Sequence, residues 1–239
     1  TGLNSTVSIA GSHLFLQGSS QLPEESYFEV SADGEGSGIS ISNSYLYSNY
    51  DSAGAETSVK ILSQGSGSNI NLNNVHLSTS IVAGEGESDI LISASGAGST
   101  INAKDIVILF EGTGNFGGPL TSEHFSIIAS GAGSQVDIDG FHIEIKDDAD
   151  HQDYANVNDF EDVAISSVGT NSSVNLENVR ISDIGTSLTV SATGANSSVV
   201  LSGEIARSDE SALTNLIASG DNSAIHIDAG DGAFTSMSV

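Results

Sequence analysis

One four-residue pattern, Gly, any residue, Gly or Asn, then Ser, recurs eight times along this chain, and nothing else in the sequence restricts its fold as tightly. The copies open at Gly2, Gly34, Gly65, Gly96, Gly131, Gly169, Gly194 and Gly220, and close on Ser5, Ser37, Ser68, Ser99, Ser134, Ser172, Ser197 and Ser223. Successive glycines are closest at Gly169 and Gly194 and farthest apart at Gly131 and Gly169, so the unit accepts insertions at some point. A unit this short cannot bury an apolar face alone. It must stack on its own copies.

Each signature is followed by an apolar, any, apolar triplet: Val7/Ile9, Ile39/Ile41, Ile70/Leu72, Ile101/Ala103, Val136/Ile138, Val174/Leu176, Val199/Leu201 and Ile225/Ile227. That is the period of two of a strand with one buried face. Two residues on stand Gly11, Asn43, Asn74, Asp105, Gly140, Asn178, Gly203 and Ala229. All but Ala229 are types that tolerate positive φ, so a tight corner is expected there. A second strand follows, with inward pairs such as Val75/Leu77, Ile106/Ile108, Phe141/Ile143 and Val179/Ile181. A third precedes each signature from the second onward and ends inward on a small residue, as at Ala32, Ser63, Ala94, Ala129, Ser167 and Ala192. A small side chain at one fixed place per coil suits a narrow interior beside a sharp bend.

The expected fold is all-β, a right-handed parallel β-helix of eight coils with three short strands each, forming one domain over residues 1–239. Length variation falls after the second strand, in the connections Gln17 to Ser26, Ser48 to Thr57, Glu111 to Glu123 and Lys146 to Asp162. Eight coils at the spacing of neighbouring strands span roughly 38 Å. A β-sandwich does not explain one turn signature recurring eight times, and the spacing of two with abundant Ser, Asn, Gly, Val and Ile argues against helix. The chain opens partway round a coil and ends without an amphipathic cap, which leads us to expect a segment of a longer solenoid.

Charge then excludes partners. Thirty-one acids against five Lys plus Arg give a net charge of −26, which repels nucleic acid and anionic lipid headgroups. The apolar residues never form a run of ~18 or more, so no insertion of this segment into a membrane is expected. There is no cysteine, hence no disulfide scaffold.

Several outward positions are candidates for binding. His13, Tyr45, Val107, His142 and Arg180 share one row of the second strand and form an aromatic, weakly basic strip on an acidic body. His13, His76 and His142 are each two coils apart, roughly 10 Å, too far to share a metal ion. On the first strand the outward row reads Ser8, Ser40, Asn71, Asn102, Asp137 and Asn175, a polar ladder able to present a regular glycan-binding face. The acidic run Asp147, Asp148, Asp150 and Asp153 offers hard oxygen donors for Ca²⁺, although it lacks the ordered spacing and central Gly of an EF-hand. No other cofactor is suggested. For an enzyme, Lys146 is the one base beside that acidic run, and Asp137 and Asp139 are carboxylates ~6.6–7 Å apart on one strand face, within the loose range of an inverting hydrolase.

The segments Ala94 to Ile108 (ASGAGSTINAKDIVI) and Gly169 to Ile181 (GTNSSVNLENVRI) resemble the passenger domains of bacterial autotransporters and related surface β-helix adhesins, and the resemblance extends over nearly all of the chain. It implies an extracellular protein at a bacterial cell surface; with no recognisable catalytic site among its residues, no enzymatic activity is expected of the chain. The scaffold would mediate adhesion to host or neighbouring cells or matrix, glycan binding or self-association through its loops and ladders. The Gly-Asp-Ser-Gly motif of that family's protease subset does not occur. The alternative is a polysaccharide-degrading β-helix lyase or hydrolase.

Overall fold

A computed structural model describes residues 3–18, 26–50, 56–81, 87–112, 123–147, 160–182, 187–207, 214–229 and 236–238. Strands account for most of them: β1 (Thr6–Ala10), β2 (His13–Gly18), β3 (Ser26–Asp33), β4 (Gly38–Tyr50), β5 (Glu56–Gln64), β6 (Asn69–Ile81), β7 (Glu87–Ser95), β8 (Thr100–Gly112) and β9 (Glu123–Ser130). They continue as β10 (Gln135–Asp147), β11 (Phe160–Val168), β12 (Ser173–Ser182), β13 (Ser187–Thr193), β14 (Ser198–Arg207), β15 (Thr214–Ser219), β16 (Ala224–Ala229) and β17 (Ser236–Ser238). Every pairing is parallel and joins one coil to the next, which makes the fold a parallel β-helix.

Two hydrogen-bonded sheets carry the three strands expected per coil. The long strands run in the order β1-β4-β6-β8-β10-β12-β14-β16, with β2 also on β4; the strands that precede each signature run β3-β5-β7-β9-β11-β13-β15-β17. In β4, β6, β8, β10, β12 and β14 the first and second strands of the repeat are joined through the corner, and only the first coil separates them, as β1 and β2. The corner itself is where the sequence places it. Asn43, Asn74, Asp105 and Asn178 have φ of 47°, 52°, 52° and 54°, and Gly11, Gly140 and Gly203 are also positive, whereas Ala229 is not among the positive-φ residues. Because every coil bends at the same place, each neighbour bends with it. The ladder resumes after one residue, from Ser42 with Asn73 to Ser44 with Val75, so the bend does not divide the sheet. Where β12 pairs with β14 the register shifts between Glu177 and Val179, opposite Ser202 and Ile205, so that β14 carries one extra residue in a bulge at Gly203.

Backbone geometry separates the two glycine positions of the signature. The first lies at φ between 122° and 143° in the seven described copies, a region open only to glycine. A Cβ at Gly65, Gly96 or Gly131 would also collide with the carbonyl group of the preceding signature glycine, so these residues stack directly on one another. The third position is ordinary left-handed helix, φ 56° to 73°, and there Asn4, Asn171, Asn196 and Asn222 alternate with Gly36, Gly67, Gly98 and Gly133. Backbone N–H groups keep the ladder going through the turn, as from Gly67 to Ala97 and from Gly98 to Ala132, both 2.8 Å.

The signature serine closes the turn from inside. Ser37, Ser68, Ser99, Ser134 and Ser172 are buried, and each Oγ donates to the carbonyl just before the next coil's glycine: Gln64, Ser95, Ser130, Val168 and Thr193, at 2.7–3.2 Å. The small inward residue lies against it. Ser37 and Ser63 hydroxyls are 3.0 Å apart, and Ser134 and Ser167 2.8 Å, which leaves no room for a larger side chain. Farther from the turn the core is aliphatic, with Ile39, Ile70, Ile101, Val136, Val174 and Val199 in one continuous buried row. Each such side chain contributes about 1.5–3 kcal/mol by leaving water. Phe125 and Phe141 stack across the interior with centroids 5.2 Å apart.

Candidate functional site

The outer face of the long-strand sheet gathers most of the residues that the sequence singles out. Alternation turns Asn71, Asn73, His76 and their equivalents outward, and the one-residue corner resets the phase between the two halves of each strand. Parallel register then converts sequence equivalents into rows along the axis. One row is His13, Tyr45, His76, Val107, His142 and Arg180, paired in that order through consecutive coils. The other is Ser8, Ser40, Asn71, Asn102, Asp137 and Asn175, continued by Val200 and His226.

At the N-terminal end of the first row the rings form a cluster larger than the sequence reading proposes. Tyr45 lies 6.1 Å from both His13 and His76 by ring centroids. Phe15 and Tyr47, one outward step farther along the same strands, join it: Phe15 is 5.7 Å from Tyr45 and from Tyr47, and Tyr45 and Tyr47 stack at 6.0 Å with 19° between their planes. Phe15 is 64% exposed, a large apolar side chain at the surface. Phe15 and Tyr47 were legible in principle, since each follows a noted ring by two residues and therefore shares its face.

Toward the C-terminal coils the same row borders an open groove of about 310 Å³ lined by Val107, His142, Arg180, Asn74, Asp105 and Asn178 among others. Across the corner lies a second open groove, about 350 Å³, lined by Asn71, Asn73, Asn102, Lys104, Asp137, Asp139, Asn175 and Glu177. Its amides are ordered by each other: Asn102 Nδ2 donates to Asn71 Oδ1 at 3.0 Å, and Asn71 Nδ2 to Asn69 Oδ1 at 3.1 Å. Asn175 sits beside Asp137 in register. The seven ligand-binding candidates thus fall on one sheet in two rows on opposite sides of the corner: His13, Tyr45, His142 and Arg180 on the second-strand half, and Asn71, Asn102 and Asn175 on the first-strand half.

The catalytic candidates are less concentrated. Asp139 pairs with Lys104 at 3.6 Å and accepts from Asn178 Nδ2 at 3.1 Å, both at the open surface. Asp137 is half-buried on the same face. The backbones of Lys146 and Asp147 belong to the end of β10, opposite Glu111 and Gly112, while their side chains, and Asp148, Asp150 and Asp153 entirely, lie outside the described residues. Among the described residues no three His, Asp or Glu come close enough to hold a metal ion. The histidines of the first row are spread over alternate coils, as their spacing requires.

Compared with protein-family models, with curated proteins and with solved structures, the chain matches none.

Proposed function

We propose that this chain is the structural and adhesive β-helix of a secreted bacterial surface protein, which holds host cells, neighbouring cells or matrix against the outer face of its long-strand sheet. The observation that carries the reading is the surface cluster of His13, Phe15 and His76, exposed, with the half-buried Tyr45 and Tyr47, on a body of net charge −26. Aromatic rings of this kind give large contact area at little entropic cost and are enriched where surfaces meet. Charge elsewhere on the molecule discourages nonspecific association. The stacked scaffold keeps the rows in fixed register, so contacts repeat along an axis rather than converge on a point.

The test is adhesion itself. Labelled protein should coat matrix- or cell-covered surfaces, and the Phe15→Ser/Tyr45→Ser double variant, whose changes lie on the outer face of the sheet, should lose most of that coating while its circular dichroism stays close to the parent's. Equal coating by both proteins would refute a role for this face.

A polysaccharide-degrading enzyme is the second reading, and the meeting of Lys104 with the Asp139 carboxylate, beside Asp137 in one groove, favours it. Reproducible cleavage of an acidic or neutral polysaccharide, with or without Ca²⁺, that disappears in Lys104→Ala or Asp137→Ala would establish it in place of the first.

A further inference from the structure

We propose that the outer face of the short-strand sheet docks on the same face of a second copy of this chain, the two solenoids lying side by side with their axes opposed. This surface belongs to the other sheet from the ring cluster, so the inference stands apart from the adhesive reading.

Charge singles the face out. In parallel register the outward residues of the short strands form rows along the axis, and two of these rows lie beside the signature turn. One is Leu62, Ser93, Ile128, Ser166, Ser191 and Ile217; the other runs from Gln64 through Val168 to Ser219. Neither row holds an Asp, Glu, Lys or Arg, and neither do the residues that follow the signature glycines from Gly65 to Gly194. Acids close the patch at its two ends, Asp33 and Glu35 in one coil and Asp221 in another. The remaining acids of the intervening coils lie on the long-strand sheet, as Asp105, Asp137, Asp139 and Glu177 do, or mostly in and beside the connections after the second strand. Two molecules of charge −26 repel through those surfaces, whereas contact through this one brings no carboxylates together.

The patch also stands clear of the points where those connections join the short strands. From Glu56 to Leu62, Glu87 to Ser93 and Phe160 to Ser166 the strand itself covers about 20 Å. Backbone groups within the sheet are already paired with the neighbouring coils, so a second copy is met by side chains, at the sheet-to-sheet separation of about 10 Å.

Shape makes the face complementary to itself. Along the first row Leu62, Ile128 and Ile217 are large, and Ser93, Ser166 and Ser191 are small. A two-fold axis parallel to the strands and passing over β11 sets Ile128 opposite Ser191 of the second copy and Ile217 opposite its Ser93. The same axis brings the two copies of Val168, 44% exposed in the single chain, together at the centre. An isologous contact requires this kind of self-match. The patch covers about 500 Å² a side at strand and residue spacing, hence about 1,000 Å² in the pair, the lower bound of specific interfaces. Association is therefore reversible, and it strengthens as salt screens the repulsion that remains between the two bodies.

Sedimentation velocity of the whole chain, over a range of concentrations up to about 0.3 mM and at low salt and about 0.5 M NaCl, tests the proposal. A monomer–dimer equilibrium is expected, with the association constant about tenfold or more higher in the high salt. Val168→Glu places two like charges at the axis and should weaken association at least about tenfold, while Val200→Glu, which adds the same charge to the long-strand sheet, should change it less than about twofold. The chain has no cysteine, so Val168→Cys gives an independent reading: treatment with diamide should join it into a disulfide-linked dimer, and Val200→Cys should stay monomeric under the same treatment. A monomer under all conditions would leave the face to some other partner and overturn the inference. So would a dimer indifferent to Val168→Glu, or one in which Val200→Cys is cross-linked as readily as Val168→Cys.

Discussion

Two positions of the repeat restrict replacement, to different degrees and for different reasons. Gly96 has φ of 126° and lies under the carbonyl of Gly65, so Gly96→Ala meets both backbone strain and a collision with main chain. We expect a loss of about 3 kcal/mol or more in urea unfolding, or failure to fold. Asn74 has φ of 52° and its amide donates to Asn43 Oδ1 at 2.9 Å. Asn74→Val should cost roughly 1–2 kcal/mol through strain alone, whereas Asn74→Gly, which relieves strain but drops the amide bond, should remain near the parent. If thermal unfolding put the Val and Gly variants at the same midpoint, strain at this corner is not what selects asparagine. Residue types made these positions legible in the sequence: only glycine fills the first signature position in all eight copies, while glycine and asparagine share the third. Chemistry alone does not reveal how the glycines stack on each other's carbonyls, because that contact joins residues a full coil apart.

Within a single strand, β6 combines what the sequence tells and what it hides. Its inward residues Ile70, Leu72, Val75 and Leu77 follow from the period of two on either side of Asn74. The next inward residue is Thr79, fully buried, in register between Ser48 and Phe110, and its Oγ1 has no hydrogen-bond partner among the described residues. A buried hydroxyl left unbonded costs about 1–3 kcal/mol, so Thr79→Val should raise the unfolding free energy by about 1 kcal/mol; a lower midpoint would mean that the hydroxyl is satisfied after all. The union of the first and second strands was not legible. Positive-φ residue types announce a bend, but whether a ladder survives it depends on the neighbouring coils bending at the same residue, and that is a property of the stack. The aromatic cluster was half legible for a related reason. His13 and Tyr45 stand out as equivalents in the repeat, and Phe15 and Tyr47 follow each by two residues, but that the four rings touch becomes visible only when β2 lies beside β4.

Taken as one body, the solenoid balances an interior that repeats from coil to coil against an exterior with far more carboxylates than cations. Five Lys plus Arg cannot neutralise thirty-one acids, so self-repulsion lowers stability until salt screens it. The unfolding midpoint should therefore rise by roughly 5 °C between 10 mM and 0.5 M NaCl, and a midpoint that fell would show that surface ion pairs such as Lys104 with Asp139 outweigh the repulsion. The parallel ladders have a mechanical consequence. Strands lie across the axis, so the hydrogen bonds that join coils point along it, including those through the stacked signature turns. Tension applied to the two ends of the chain loads these bonds in series instead of shearing them together. A solenoid built this way should give way at modest force and one coil at a time, each rupture releasing the chain between successive signature glycines, so that a load hung between its ends would be lowered by a sequence of small yields before the link broke.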